Sequence, residues 1–339
     1  EEAEVNYKLN IDRAVIEING GCNYSCEMCP QSRNDGRPGR DKRFLRKMDL
    51  VEFEKNVADC AKHGLRVVNL DGSGEATLCR NLPEYIKIVK KYGAKAYIFS
   101  NGYLMKGQFM KDCVDAGLDF FRFSVIGYSS ETYAEWMDRP IGGYDHIWNN
   151  IIEMQKYVDE TKAKTVVSTY HLILGDDEEE ELKQYKHKHD ICPVKGVKTE
   201  IWKMHNWSGV YDNNDKRTGD VKTCGRPFSP DVVIRSGGLD GKTGAVAPCC
   251  QVLGQDEKAV LGHTSEHTIE EIWNGPGYTQ LREDHINGTY PDYCKTCDFL
   301  IDDPEVLVYT NDDRSLMHMN GTEFDLNDYR DIRQYLPPL

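Results

Sequence analysis

No apolar run in this chain of 339 residues approaches the roughly 18 residues needed to cross a bilayer, which excludes a helical membrane span. Positive charge is also short. Lys and Arg number 42 against 56 Asp and Glu, for a formal net charge of −14. A surface of that sign repels phosphate backbones and anionic lipid, so no nucleic-acid or membrane partner is expected, although a local basic pocket for one small anion is compatible with it. The opening Glu1-Glu2-Ala3-Glu4 has neither the basic nor the apolar region of a signal peptide, and the expected location is cytoplasmic. No internal repeat is found. With 39% apolar and 29% charged residues the balance is globular, which rules out collagen-like and wholly disordered classes.

What is abundant is cysteine, with twelve. Without a secretion signal, clustered cysteines point to metal or redox chemistry more than to a disulfide framework. Around them the first two thirds of the chain alternate short apolar segments with amphipathic ones. Strands are expected at Ala14–Ile18, Val67–Leu70, Ala96–Phe99, Phe120–Val125, Val166–Leu174 and Val197–Met204. Helices are expected at Met48–His63, Leu82–Tyr92, Gln108–Ala116, Glu131–Met137, Tyr144–Tyr157 and Asp176–Lys188. The acidic run Asp176–Glu181 reads as a solvated helix start. Such repetition argues for parallel strands with right-handed crossovers, in an open or partial barrel or a doubly wound sheet, with the chemistry at the strands' C-terminal ends. After Met204 the pattern changes. Asn206–Lys222 reads as a linker or long loop, followed by short strands at Val232–Ile234 and Ala245–Ala247 and a capping box at Thr268-Ile269-Glu270-Glu271.

Cys22, Cys26 and Cys29 form C-x3-C-x2-C just after the first strand. Soft thiolates suit iron–sulfur or zinc. A zinc site would want a fourth ligand nearby, so three cysteines on one loop point to a [4Fe–4S] cluster with one iron open to a substrate or cofactor. With this motif in this position the sequence resembles the radical S-adenosylmethionine (SAM) superfamily. The resemblance implies a partial parallel (β/α)6 barrel, an open iron that binds the methionine end of SAM, and reductive cleavage of SAM to a 5′-deoxyadenosyl radical that takes hydrogen from substrate. Further matches follow at successive strand ends. Gly72-Ser73-Gly74-Glu75 resembles the family's Gly-Gly-Glu motif, which implies SAM-ammonium contacts at Ser73, Gly74 and Glu75. Ser100-Asn101-Gly102 resembles its Asn-Gly turn, Ser124 its polar residue on SAM, and Arg139 an arginine used on the SAM carboxylate. Met28 stands where the family often has an aromatic residue and would pack on adenine.

A second group comprises Cys224, the adjacent Cys249 and Cys250, and Cys294 and Cys297 in C-x2-C. Four thiolates would close a zinc or [4Fe–4S] site. The spacing, with TIEEIW between, resembles the SPASM/twitch extension of radical SAM enzymes. The absence of cysteine after Cys297 implies a one-cluster version held by Cys224, Cys249, Cys294 and Cys297. Cys249 is preferred because the G-x4-C spacing ends there. Cys250 and Cys79 are candidate hydrogen donors, while Cys60, Cys113 and Cys192 read as structural. His171 and the stretch Trp202–Trp207 are candidate substrate-site residues, or else packing.

The expected fold is therefore α/β: a partial parallel (β/α)6 barrel over 1–205, a small cysteine-rich α+β auxiliary-cluster domain over 206–310, and a C-terminal tail over 311–339 packing on the core. The expected cofactors are SAM and two [4Fe–4S] clusters, with a reducing electron donor such as flavodoxin or ferredoxin. The expected reaction is oxidation of a small sugar-like or aminocyclitol-like substrate, with the closed auxiliary cluster as electron acceptor. So few residues precede the first expected strand that no leader-recognition domain is expected there. Alternatives are a radical epimerase of a sugar or peptide, a ribosomal-peptide-modifying enzyme, and a non-enzymatic zinc-binding interaction module.

Overall fold

A computed structural model describes residues 9–31, 42–210, 224, 226–229, 231–252, 257–300 and 307–311. The expected linker lies outside the described residues from 211 to 222, and so does the expected tail from 312 to 339. Six strand–helix units lead the chain. Strands β1 (Arg13–Ile16), β2 (Val67–Asn69), β3 (Lys95–Ser100), β4 (Phe120–Ser124), β5 (Val166–Ile173) and β6 (Lys198–Lys203) alternate with helices α1 (Leu50–Ala61), α2 (Leu82–Lys91), α3 (Gly107–Asp115), α4 (Ser130–Trp136), α5 (Gly143–Thr161) and α6 (Glu178–Asp190). Local chemistry sets the boundaries. Asp49 caps α1 by accepting from the Glu52 amide at 2.8 Å, and Gly93 and Gly117, at φ +76° and +97°, follow α2 and α3 in a left-handed conformation that glycine adopts without strain.

The six strands pair in parallel and in sequence order. A doubly wound sheet would reverse direction partway, whereas sequential order with right-handed crossovers puts all the helices on one face, as in a barrel. Packing agrees. Ala14, Ile16, Val68, Ile98, Phe121, Val167 and Ile201 share one core cluster with Phe53, Val57, Ile86, Val89, Met110 and Ile147 from the helices. The alternate strand residues face the other way, toward the hollow side. There Val67, Tyr97 and Phe120, backed by Phe99 and Val166, make a separate apolar plug.

The C-terminal region continues this sheet. Strand β7 (Asp231–Ile234) pairs in parallel with β1, Val15 opposite Val233, and the buried Arg13–Asp231 ion pair of 2.6 Å joins two residues in register. Strands β8 (Ala245–Ala247) and β9 (Gly262–His263) follow antiparallel. At the opposite edge β10 (Leu307–Thr310) pairs antiparallel with β6, so the ten-stranded sheet is mixed and not closed. Helices α7 (Ile269–Trp273), α8 (Pro276–Asn287) and α9 (Asp292–Lys295) complete the region. Thr268 and Glu271 form the expected capping box.

Candidate active site

The loop after β1 carries Cys22, Cys26 and Cys29, each half-buried. Its seat is built by Glu17 and by the Gly72–Glu75 turn after β2. The Glu17 carboxylate, buried, accepts from the Ser73 amide at 2.6 Å and from the Ser236 amide and hydroxyl at 3.2 and 2.9 Å, so one side chain ties the turn, the cysteine loop and the strand β7 end together. Gly74 lies directly under the loop. A Cβ there would stand 2.1 Å from the Asn19 carbonyl oxygen and 2.6 Å from that of Gly21, so only glycine fits. The Glu75 amide donates to Gly21 at 2.7 Å, and Asn19 returns a bond to the Glu75 carbonyl at 2.8 Å.

Glu75 is buried, and its carboxylate already has four donors: the Thr77 amide and hydroxyl, the Ser100 hydroxyl at 2.7 Å and the Asn101 amide at 3.0 Å. It locks the β2 and β3 ends to each other. Asn101 in turn donates to the Asn23 side chain at 2.9 Å and lies 4.0 Å from the Cys22 sulfur, to which the Tyr24 amide also donates at 3.4 Å. From the other side Arg139 lies over the rings of Tyr24 and Tyr103, at 4.5 and 5.2 Å, and reaches the Asn23 carbonyl at 3.5 Å. Tyr24 meets Tyr133 of α4 hydroxyl to hydroxyl at 3.2 Å. Burial pushes the Tyr24 phenol up to about 12, so it stays protonated.

Cys22, Ser73, Gly74, Glu75, Ser100, Asn101 and Arg139 are thus gathered around one loop. Ser124 is half-buried at the end of β4, opposite Tyr170. Two other sequence candidates are buried. Met28 lies in the core cluster that includes Tyr24 and against which Cys22 and Cys26 pack. Cys79 packs in the same core, its thiol on the Ile18 carbonyl at 3.9 Å, and burial raises its pKa.

Cys249 and Cys250 follow β8, Cys294 lies in α9, and Cys297 follows it, its amide bonded to the Cys294 carbonyl at 2.9 Å. These thiols keep some accessible surface yet are enclosed by the surrounding chain. Burial is the main reason the pKa values of Cys249, Cys294 and Cys297 rise, to about 11 at Cys249 and about 12 at Cys297. The charges of Cys249 and Cys224 add to the rise at both Cys294 and Cys297, so these four thiols lie within one another's electrostatic reach. Cys250 diverges from its neighbour. It packs with Val15, Val233 and Ala247, away from the helix layer, and accepts from the Arg226 guanidinium at 3.2 Å.

Among the described residues, no three histidine, cysteine or carboxylate side chains surround a point where a single ion would be held. A cluster spaces its thiolates at separate corners. What fits one here is the donor set: three soft thiols on one half-buried loop and four grouped thiols in the C-terminal region.

Of the two readings of His171, the structure favours packing. The side chain is buried on the helix side, 2.7 Å from Glu181, with its other ring nitrogen 3.2 Å from the Gly127 amide. Glu181, read from sequence as part of a solvated run, is buried and also accepts from the Leu174 and Gly175 amides. His205 packs edge-on against Trp207 and tilted against Phe299, and Asn206 bonds Thr296 and Asp298, so this stretch secures the Cys294–Cys297 segment. The hollow face holds residues that the sequence reading passed over: Asp71, Arg122, Tyr170 and Glu200. For one of them the signal was present, since Arg122 in FFRFS is a charge in an otherwise largely apolar strand.

The profile of the Radical SAM superfamily matches residues 16–185, and that of an iron–sulfur cluster-binding domain, SPASM, matches 241–298. The tungsten-containing aldehyde ferredoxin oxidoreductase cofactor-modifying protein of Pyrococcus furiosus is 30% identical over 325 residues, covering 83% of this chain and 86% of that protein. The S-adenosyl-L-methionine-dependent 2-deoxy-scyllo-inosamine dehydrogenase of Niallia circulans is 21% identical over 294 residues, covering 83% and 90%. The solved structure of BtrN in complex with AdoMet and 2-DOIA shares the fold, with a TM-score of 0.53 at 16% identity over 85% of this chain and 93% of that one. With its cysteine loop at the end of β1 and both profiles matched in order, this chain belongs to the radical SAM superfamily and carries a SPASM iron–sulfur region.

Proposed function

We propose that this enzyme oxidises a small polar substrate by two electrons, and the observation that carries this reading is the grouping of Cys224, Cys249, Cys294 and Cys297 in the C-terminal region. Cys22, Cys26 and Cys29 would hold one cluster and leave one iron for SAM. When bound, SAM and the reduced cluster supply a 5′-deoxyadenosyl radical that takes a hydrogen atom from an unactivated C–H bond. Arg139 offers its guanidinium to the SAM carboxylate, and the Ser73–Glu75 turn and Asn101 shape the methionine side. Glu75, with four donors already on its carboxylate, acts by positioning the turns. Ser124 faces the ribose. A two-electron oxidation must also take a proton and a second electron from the substrate. The four grouped cysteines would hold the cluster that receives that electron, and all four ligands being protein thiols suits electron transfer over substrate ligation. A flavodoxin or ferredoxin would supply the reducing electron. The dehydrogenase activity in the name of the Niallia circulans relative supports this reading.

Epimerisation is the second reading, and the observation favouring it is Cys250, whose thiol faces away from the helix layer beside Val15 and Val233. Anaerobic turnover with SAM, reductant and a panel of amino and neutral polyols separates the two. Oxidation gives a product two mass units lighter than the substrate, with no solvent deuterium at the attacked carbon. An unchanged mass in ordinary water, one deuterium gained in D2O, and loss of turnover in Cys250→Ala would overturn oxidation and establish epimerisation.

A further inference from the structure

The hollow face carries a polar floor above its apolar plug. Arg122 lies between the rings of Phe99 and Tyr170, 3.6 and 4.2 Å from their centroids, and its Nη1 meets Glu200 Oε2 at 3.2 Å. The Trp202 indole N–H donates to the same oxygen at 3.0 Å. Asp71, which keeps accessible surface, accepts on Oδ1 from the Asn69 side-chain amide and from the Phe99 backbone amide, both at 3.2 Å.

The charge count here is unequal. Elsewhere on this face each carboxylate has an arginine beside it, Arg13 with Asp231 at 2.6 Å and Arg235 with Glu17 at 3.7 Å. On the floor Arg122 pairs with Glu200, and its charge also favours the ionised Asp71 carboxylate. Enclosure outweighs that attraction and pushes the Asp71 carboxyl up to about 6. A second, independent feature adjoins it. Asn69 is 1% exposed, and because its Nδ2 donates to Asp71 its amide orientation is fixed. Its Oδ1 then has no hydrogen-bond partner among the described residues. A buried acceptor without a donor costs stability, and so does an undercompensated carboxylate. One kind of group answers both needs: a cation with several N–H bonds.

We propose that Asn69 and Asp71 form an ammonium-binding subsite on the floor of the hollow face, taking the amine of a small aminated polyol and so fixing which ring carbon faces the SAM side. The proposal rests on the reading above that the substrate is a small polar molecule. An anion is disfavoured because Arg122, the cation present, is already held by Glu200 and two rings.

The test is calorimetric titration of the anaerobically reconstituted, SAM-loaded enzyme at pH 7.5. The probes are 2-deoxy-scyllo-inosamine and the same ring with a hydroxyl in place of the amine. The amine is expected to bind roughly tenfold tighter or more, the scale of one hydrogen bond to a charged group. Asp71→Asn should reduce that preference to about threefold or less while leaving SAM binding and iron content unchanged. Asn69→Leu, which removes the unpaired acceptor, is the second variant should the first not fold. Equal affinity for the two rings, or a preference unchanged in both variants, would overturn the subsite. If the neutral ring alone stimulates 5′-deoxyadenosine release, the subsite falls and the oxidative reading stands. If neither ring binds nor stimulates release, both fall.

Discussion

Asp71 is a side chain whose usefulness and cost can be measured separately. Its folded pKa of about 6 lies above the ~3.9 of an unfolded aspartate, so the native state holds the proton more tightly. Stability therefore falls as pH rises through the window from about 4 to about 6, and the full penalty, on the order of 3 kcal/mol, is present above it. Asp71→Asn keeps an acceptor for Asn69 and Phe99 without the charge. It should raise the melting temperature of the reconstituted protein at pH 7.5, with a gain that shrinks as the pH falls toward 5. A variant less stable than the parent at pH 7.5 would show that the carboxylate contributes to the fold instead of straining it. Gly74 marks the opposite case, a position where shape alone decides. Its neighbours leave no room for a Cβ, and that was not visible in GSGE as a string of letters.

At the scale of elements, strand and helix positions were largely legible because apolar alternation and helical spacing are local. The β4 and α1 boundaries differ from expectation only at their ends. What was not legible depended on which face a residue takes. His171 and Tyr170 are neighbours on β5, yet one enters the helix layer and the other the hollow side. Short elements such as β9 and β10 carry too little periodicity to be read without their partners. The same question of facing governs the adjacent cysteines after β8. Cys249→Ala should lose the auxiliary iron, whereas Cys250→Ala should keep most of it, as read by iron and sulfide content after anaerobic reconstitution. The reverse pattern would show that Cys250 is the ligand.

For the whole molecule, the resemblance carried by C-x3-C-x2-C implied the barrel and its order, and the family profile and the sequential parallel strands agree with it. No spacing rule announced that β7 would lie beside β1. That pairing brings Asp231 to Arg13 and Ser236 to Glu17 across more than 200 residues of chain, by contacts that form only when both strands are in place. A consequence concerns dissection of the protein. Cutting the chain after residue 205 would strip β1 of its outer partner, leaving an unpaired row of peptide groups and two orphaned ions, Arg13 and Glu17, at a raw margin of the sheet. The fragment 1–205 should therefore aggregate, as read by light scattering, and a monodisperse fragment that still binds SAM would refute this. The C-terminal region acts on this view as the selvedge of the barrel, the finished border that keeps the cloth from fraying.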